Sequence, residues 1–213
     1  MKVLEIALLV ASASTLQADI LYNNTTNASS GVDCLSNSST NTGCQTGPVS
    51  NGHFYDSFTS GAVAERLSDL KLVIDADPTS SGILDIGLYS DSSTSPGALV
   101  TTLGTVADSS LTTSLTIHDV ALTANPLLQP DTRYWIGLSG VTTAGWSWTS
   151  STSGTGVSGE FFANGGGVLS NSHGPYQMEV QAQTTVPEPS GVLLLSTAFV
   201  AVATLLRRRL RSL

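Results

Sequence analysis

Three histidines, His53, His118 and His173, are the side chains best suited to acid–base chemistry near neutral pH. None of them lies in a spacing typical of a metal site or of a catalytic triad. The sequence also contains no Gly-x-Ser-x-Gly motif, so no serine is marked as a nucleophile. We therefore predict strand or turn histidines in a protein that is not an enzyme and has no catalytic residue, cofactor or metal.

Acidic residues offer two weaker candidates for chemistry. Asp75, Asp77 and Asp91 could bind calcium through turn oxygens, but no twelve-residue loop with a closing glutamate surrounds them. Solvated turn carboxylates are the favoured interpretation. A secreted hydrolase would need carboxylates facing each other across a cleft, for instance Glu160 with Asp119, and nothing in the sequence pairs these two.

Aromatic residues suggest a binding function. Trp146 and Trp148 are two residues apart on one expected strand, so their side chains share a face. Aromatic rings stack on pyranose rings, which makes Trp146, Trp148 and Tyr176 candidate carbohydrate-binding residues. The competing interpretation places the tryptophan pair half in the core and half at a sheet edge. A carbohydrate-binding module is therefore an alternative function.

The charge balance excludes nucleic acid as a partner. The chain of 213 residues has a formal net charge of −8, and only three basic residues lie between Asp19 and Val186. A nucleic-acid-binding protein needs an excess of Lys and Arg to neutralise phosphates. The 57 Ser and Thr residues add a polar, uncharged surface that is typical of extracellular proteins.

Residues 1–18 are predicted to be a secretory signal peptide. Lys2 precedes a short apolar stretch from Ile6 to Ala13, and cleavage is expected ahead of Asp19. Ala11-Ser12-Ala13 is an alternative cleavage site.

Cys34 and Cys44 are the two cysteines of the chain. An exported protein meets an oxidising compartment, and the loop between them is short and rich in Ser and Asn. We predict a disulfide between Cys34 and Cys44, with free thiols or half of a metal site as the alternatives.

The body, residues 19–186, has the length of one domain. Frequent Gly and Pro turn signals leave no room for long helices, and period-two apolar residues predict strands. The alternating sets are Leu70, Leu72 and Ile74; Leu84, Ile86 and Leu88; Tyr134, Ile136 and Leu138; Tyr176, Met178, Val180 and Ala182. A phase change predicts a bulge or break near His118-Asp119. Eight to ten strands are expected in an all-β antiparallel β-sandwich, jelly-roll-like, with a Cys-bearing loop within residues 19–52.

Residues 187–213 form a tail with three parts. Pro187-Glu188-Pro189 comes first, an uncharged apolar segment follows at residues 192–206, and a cluster of arginines comes last: Arg207, Arg208, Arg209 and Arg211. The apolar segment is shorter than the roughly 20 residues of a comfortable span, so it predicts a short C-terminal transmembrane helix. The arginines act as the membrane stop and keep the body on the outer side.

The order of these three parts resembles the PEP-CTERM sorting signal of Gram-negative bacteria that produce extracellular polysaccharide. The resemblance implies that Pro187, Glu188 and Pro189 are the sorting motif, and that an inner-membrane exosortase removes the tail. It also implies an inner-membrane intermediate that is transiently anchored, followed by release to the cell surface or extracellular matrix.

A second resemblance covers about Phe54 to Val180. Leu88-Tyr89-Ser90-Asp91, Ser95-Pro96-Gly97 and Pro130-x-Thr132-x-Tyr134-Trp135 are similar to the choice-of-anchor R type of domain, which occurs on exported bacterial proteins. That family brings no chemistry with it. The expected function is thus a non-catalytic, exosortase-processed surface or matrix protein, associated with exopolysaccharide or biofilm.

Overall fold

The structure is a computed structural model that describes residues 18–35, 53–151, 160–164, 167–171 and 173–184. Within these residues the strands are, in chain order, β1 (Ala18–Asn23), β2 (Gly31–Cys34), β3 (Phe54–Thr59), β4 (Glu65–Asp75), β5 (Ile83–Asp91), β6 (Pro96–Ala107), β7 (Thr116–Asp119), β8 (Leu127–Leu128), β9 (Arg133–Val141), β10 (Gly145–Trp148), β11 (Glu160–Asn164), β12 (Gly167–Ser170) and β13 (Met178–Thr184). One 3-10 turn, Asp108–Ser110, follows β6.

The strands form two antiparallel sheets. The first sheet has the order β1-β13-β4-β10-β2, with β7 and β8 also paired to β4, and the second has the order β12-β11-β3-β9-β5-β6. The prediction of an all-β, antiparallel body is confirmed. The described residues hold thirteen strands, more than the expected eight to ten, because short strands such as β8 and β12 have too few residues for a recognisable alternation.

The alternating apolar residues form one core between the two sheets. On β5, Leu84, Ile86 and Leu88 are fully buried while Asp85 between them is exposed. The other three predicted sets are buried as well and belong to the same cluster of contacting side chains. Each strand thus turns one face to the core, as period-two sequences should.

The β5–β6 hairpin turns just before the Ser95-Pro96-Gly97 segment. Its turn residues are Ser93 and Thr94, with φ of 53° and 74°. Ser92 and Ser95 exchange both backbone hydrogen bonds, at 2.8 and 3.2 Å. A type I′ two-residue hairpin loop has positive φ at both central positions, which proline cannot adopt. Pro96 therefore begins β6 instead.

A buried carboxylate connects β6 to the link between β9 and β10. Asp108 is fully buried and accepts hydrogen bonds from the backbone N–H of Thr143 at 2.8 Å, from the Thr143 hydroxyl at 3.0 Å and from the Thr142 hydroxyl. Since the chain crosses from the second sheet to the first at Thr142–Thr143, this carboxylate fixes the crossing point.

The ends of the body lie side by side in the first sheet. Ala18, the last residue of the predicted signal peptide, is the first residue of β1 and pairs with Gln183 of β13. β7 ends at Asp119, where the sequence indicated a break. The remainder of the signal peptide and the whole tail from residue 185 lie outside the described residues.

Candidate functional site

The predicted carbohydrate platform is wrong for two of its three residues. Trp146 and Tyr176 are both fully buried, and their rings stack at a centroid distance of 4.4 Å with planes 10° apart. The Trp146 indole N–H donates to the backbone carbonyl of Gln177 at 3.0 Å. Trp146 is paired with Ile74 of β4, so it lies on the core face of the first sheet. A sugar in solvent cannot reach either ring.

Trp148 shares a face with Trp146, as predicted, and this is the inner face, but Trp148 is only partly buried. His173 stacks on its ring at a centroid distance of 4.5 Å. On β2, a β-carbon at Gly31 would lie 2.7 Å from two ring carbons of Trp148. The stacked His173 ring therefore covers one face of Trp148, and the Gly31 backbone packs closely against the same side chain.

A buried polar cluster surrounds Asp33, a residue that the sequence did not single out. The Asp33 carboxylate is fully buried and accepts hydrogen bonds from the Tyr176 hydroxyl and from Asn171 Nδ2, both at 2.9 Å. His173 Nδ1 lies 3.1 Å from each Asp33 oxygen. Asp33 and His173 are 140 residues apart in the sequence, so no local spacing could have revealed the pair.

The Asp33–His173 pair has the same side-chain types as the base and orienting acid of a hydrolase. The residues around the pair, however, hold two parts of the fold together. The stack on Trp148 and the hydrogen bonds from Tyr176 and Asn171 hold the pair where β2 meets the segment before β13. The nearby Ser147 hydroxyl hydrogen-bonds to the Gln177 side chain at 2.5 Å and to the Ser29 hydroxyl at 2.7 Å. Neither partner is a base that could activate the serine.

The other two histidines occupy separate places. His53 precedes β3 and contacts Tyr55, with ring centroids 5.5 Å apart, and burial lowers the pKa of His53. His118 is on β7, paired with Leu72. The hydrolase alternative paired Glu160 with Asp119, but Glu160 belongs to β11 of the second sheet and Asp119 to β7 of the first. The sheet order therefore gives this pair no shared strand neighbour.

The candidate calcium ligands are divided between the two sheets. Asp75 ends β4 in the first sheet, and Asp91 ends β5 in the second. Asp77 Oδ1 accepts hydrogen bonds from the hydroxyl and backbone N–H of Thr79, at 2.7 and 2.9 Å, and these bonds lower the pKa of Asp77. Burial raises the pKa of Asp75. In the described parts of the chain, no three His, Cys, Asp or Glu residues are grouped so as to hold a metal.

Cys34 is a disulfide-bonded residue at the end of β2, and its side chain is buried. Cys44 lies outside the described residues, so its pairing with Cys34 stays a prediction. The sorting motif at residues 187–189, the apolar segment 192–206 and the four arginines of the tail also lie outside them. Among residues that are described, no helix has the length and apolar character needed to cross a membrane.

A scan of the sequence against protein-family models gives no match, and a search of curated proteins finds no significant similarity.

Proposed function

We propose that this protein is an exported, non-catalytic surface or matrix protein whose C-terminal tail is removed by an exosortase. The observation that carries the proposal is the order of Pro187-Glu188-Pro189, the apolar segment 192–206 and the final arginines. The tail resembles the PEP-CTERM signal in all three parts. The body preceding it is an all-β domain with a disulfide-bonded cysteine, which suits an oxidising exterior.

The geometry of the body supports removal of the tail. β13, the last strand, ends at Thr184, just before the motif, and is paired on one side with β1 and on the other with β4. The strand is held over its whole length by these ladders. Cleavage at or near Pro187 would therefore remove nothing that the described sheets need.

The position of the two ends supports a membrane intermediate. Ala18 pairs with Gln183, so the predicted signal peptide and the tail leave the domain at neighbouring points of one sheet. Because both chain ends leave the domain at the same place, both can reach one membrane surface without either end having to pass across the domain. After cleavage at both ends, the hydrogen bonds between β1 and β13 still hold the first and last strands of the body together.

Motif variants test the proposal. The full chain is expressed in a host that carries an exosortase, with Glu188→Ala as the motif variant and Ser190→Ala as a matched control in the same tail. We expect the Glu188→Ala protein to stay in the inner-membrane fraction and the control to reach the surface fraction as the wild type does. Equal surface delivery of the Glu188→Ala protein would contradict the proposal.

A further inference from the structure

The outer face of the second sheet carries an aromatic patch that the sequence did not reveal. Cross-strand partners share a sheet face, and Trp135 on β9 is paired with Tyr89 on β5. Tyr89 is in turn paired with Leu99 on β6. Because Ile136 and Leu88, the next residues along β9 and β5, belong to the core, Trp135 and Tyr89 lie on the opposite face. We call Tyr55, Tyr89, Leu99 and Trp135 the outer aromatic patch.

Glycines make room for these rings. Gly137 and Gly87 are direct partners on β9 and β5, and Tyr55 is paired with Gly137 from the other side. A β-carbon at Gly137 would lie 2.4 Å from Tyr89 Cε2 and 2.9 Å from Tyr55 Cδ1. Side chains at these positions would therefore push the rings away from the sheet.

The rings are held against one another. The Tyr55 and Tyr89 rings meet edge to face, with centroids 5.1 Å apart and planes at 89°. The ring centroids of His53 and Tyr89 are 6.3 Å apart. Tyr55 and Trp135 are 5% and 1% exposed and act as the support, whereas Tyr89 is partly exposed and Leu99 is 53% exposed at the rim. An exposed apolar rim around a fixed aromatic base is a feature of ligand sites on protein surfaces.

The outer face of the first sheet has a different chemistry. There Lys71 Nζ lies 2.7 Å from Glu179 Oε1 and 3.5 Å from Asp69 Oδ2, and the other Glu179 oxygen accepts a hydrogen bond from Asn23. These polar groups satisfy one another. The two outer faces of the domain thus differ, and the second sheet is the one that offers a partly exposed aromatic ring, that of Tyr89, to a ligand.

Charged groups beside the patch define the ligand further. Asp85, on the same face of β5 as Tyr89, is exposed. Arg133 NH1 lies 3.9 Å from Asp91 Oδ1, which also accepts the Trp135 indole N–H at 2.9 Å. The positive charge of Arg133 is thereby balanced by the Asp91 carboxylate. The formal net charge of the whole chain is −8. A polyanionic ligand would be repelled, whereas sugar hydroxyls can donate to Asp85.

The tyrosine hydroxyls add hydrogen-bond donors. Burial, together with the neighbouring Tyr89, raises the pKa of Tyr55 to about 12. Burial and the Asp85 carboxylate raise the pKa of Tyr89. Both phenols therefore stay protonated at neutral pH.

We propose that the outer aromatic patch binds a neutral polysaccharide, with a pyranose ring stacked on Tyr89 beside Leu99 and its hydroxyls donating to Asp85. Aromatic faces supply the apolar contact that such rings need, and a carboxylate supplies the acceptor. This binding site lies on the folded domain of the exported protein, and ligand binding there does not involve the C-terminal tail. Glycan binding can therefore fail while tail removal succeeds, and the two proposals are separable.

Affinity electrophoresis of the full chain, in gels containing dextran, galactomannan or xyloglucan, tests the site. Alginate serves as the acidic comparison. We expect retardation by a neutral polymer but not by alginate, and a loss of affinity of about tenfold in Tyr89→Ala, equivalent to about 1.4 kcal/mol. Tyr89→Phe keeps the ring and should stay within about threefold of the wild type, because stacking supplies most of the contact.

A matched pair of surface variants controls for folding. Leu99 is 53% exposed in the patch and Ile117 is 54% exposed on β7 of the first sheet. We expect Leu99→Ala to weaken retardation and Ile117→Ala to leave it unchanged, and this pair decides the question if Tyr89→Ala fails to fold by circular dichroism. No retardation by any of the three neutral polymers, equal retardation of Leu99→Ala and wild type, or retardation by alginate as strong as by the neutral polymers would overturn the proposal.

Discussion

The indole of Trp146 and the phenol ring of Tyr176 lie almost parallel in the core, with centroids 4.4 Å apart. The Tyr176 hydroxyl at the far end of this stack donates to Asp33 at 2.9 Å. The stack contacts the second sheet through Phe54, whose ring lies 5.4 Å from Tyr176. These residues therefore connect the polar cluster at the edge of the first sheet to the core between the sheets.

Replacing Trp146 tests its place in that core. Because the side chain is fully buried, Trp146→Ala should lower the free energy of unfolding by about 3 to 5 kcal/mol. Trp148→Ala should cost less, since Trp148 is only partly buried. Urea unfolding followed by far-ultraviolet circular dichroism measures both. Equal losses from the two substitutions would contradict the assignment.

Asp33 should be a larger contributor to stability than its lack of a sequence motif suggests. Asp33→Asn weakens the charge-assisted hydrogen bonds from Tyr176 and Asn171, and we expect a loss of about 1.5 to 3 kcal/mol. Asp131→Asn, at an exposed turn position, is the matched control and should change stability by less than about 0.5 kcal/mol. A loss in the control as large as in Asp33→Asn would show that the hydrogen bonds to Asp33 contribute no more to stability than an exposed carboxylate does.

Asp56 should make the stability depend on pH. Burial raises the pKa of Asp56 well above its ordinary value, and this effect outweighs the backbone N–H donors of Ser57 and Tyr176. A raised pKa in the folded state means that the contribution of Asp56 is fully present below the unfolded pKa and is lost as pH rises through the folded pKa. Asp56→Asn removes this loss.

The measurement compares the unfolding free energies of wild type and Asp56→Asn between about pH 4 and pH 8. We expect the variant to gain stability relative to the wild type as pH increases. A difference that stays constant across the range would show that the Asp56 carboxyl does not titrate differently in the folded state.

The predicted disulfide can be tested with the oxidised full chain. Cys34 is disulfide-bonded and Cys44 is the other cysteine of the sequence. We expect no free thiol before reduction, and a loss of about 2 to 3 kcal/mol in a Cys34→Ser, Cys44→Ser variant, because the bond restrains a short loop. Two reactive thiols in the unreduced protein would contradict this prediction.

Local alternation was enough to predict the core strands. Leu84, Ile86 and Leu88 show a period of two, and because they are apolar, they are the residues of the strand that face inward. The same logic failed for Trp146, because the period shows that two tryptophans share a face without showing which face. Only the pairing of Trp146 with Ile74 decides that it is the inner one.

The polar cluster and the outer aromatic patch depend on contacts between distant parts of the chain. Asp33 meets His173 across 140 residues, and Tyr55 meets Tyr89 only because β9, with Gly137, lies between β3 and β5. Hydrophobic periodicity in a single sequence does not show such neighbours. The local sign for the patch is the pair of glycines at 87 and 137, since glycine inside a strand often marks a close approach of another group.

The central claim is that the tail is removed from an exported body. Intact mass of the protein extracted from the cell surface, compared between cells with an active and an inactive exosortase, tests it most directly. We expect the surface protein of active cells to end at or near Pro187-Glu188-Pro189 and to lack Arg207 to Arg211. Recovery of the full chain with its arginines at the surface of cells with active exosortase would contradict the account.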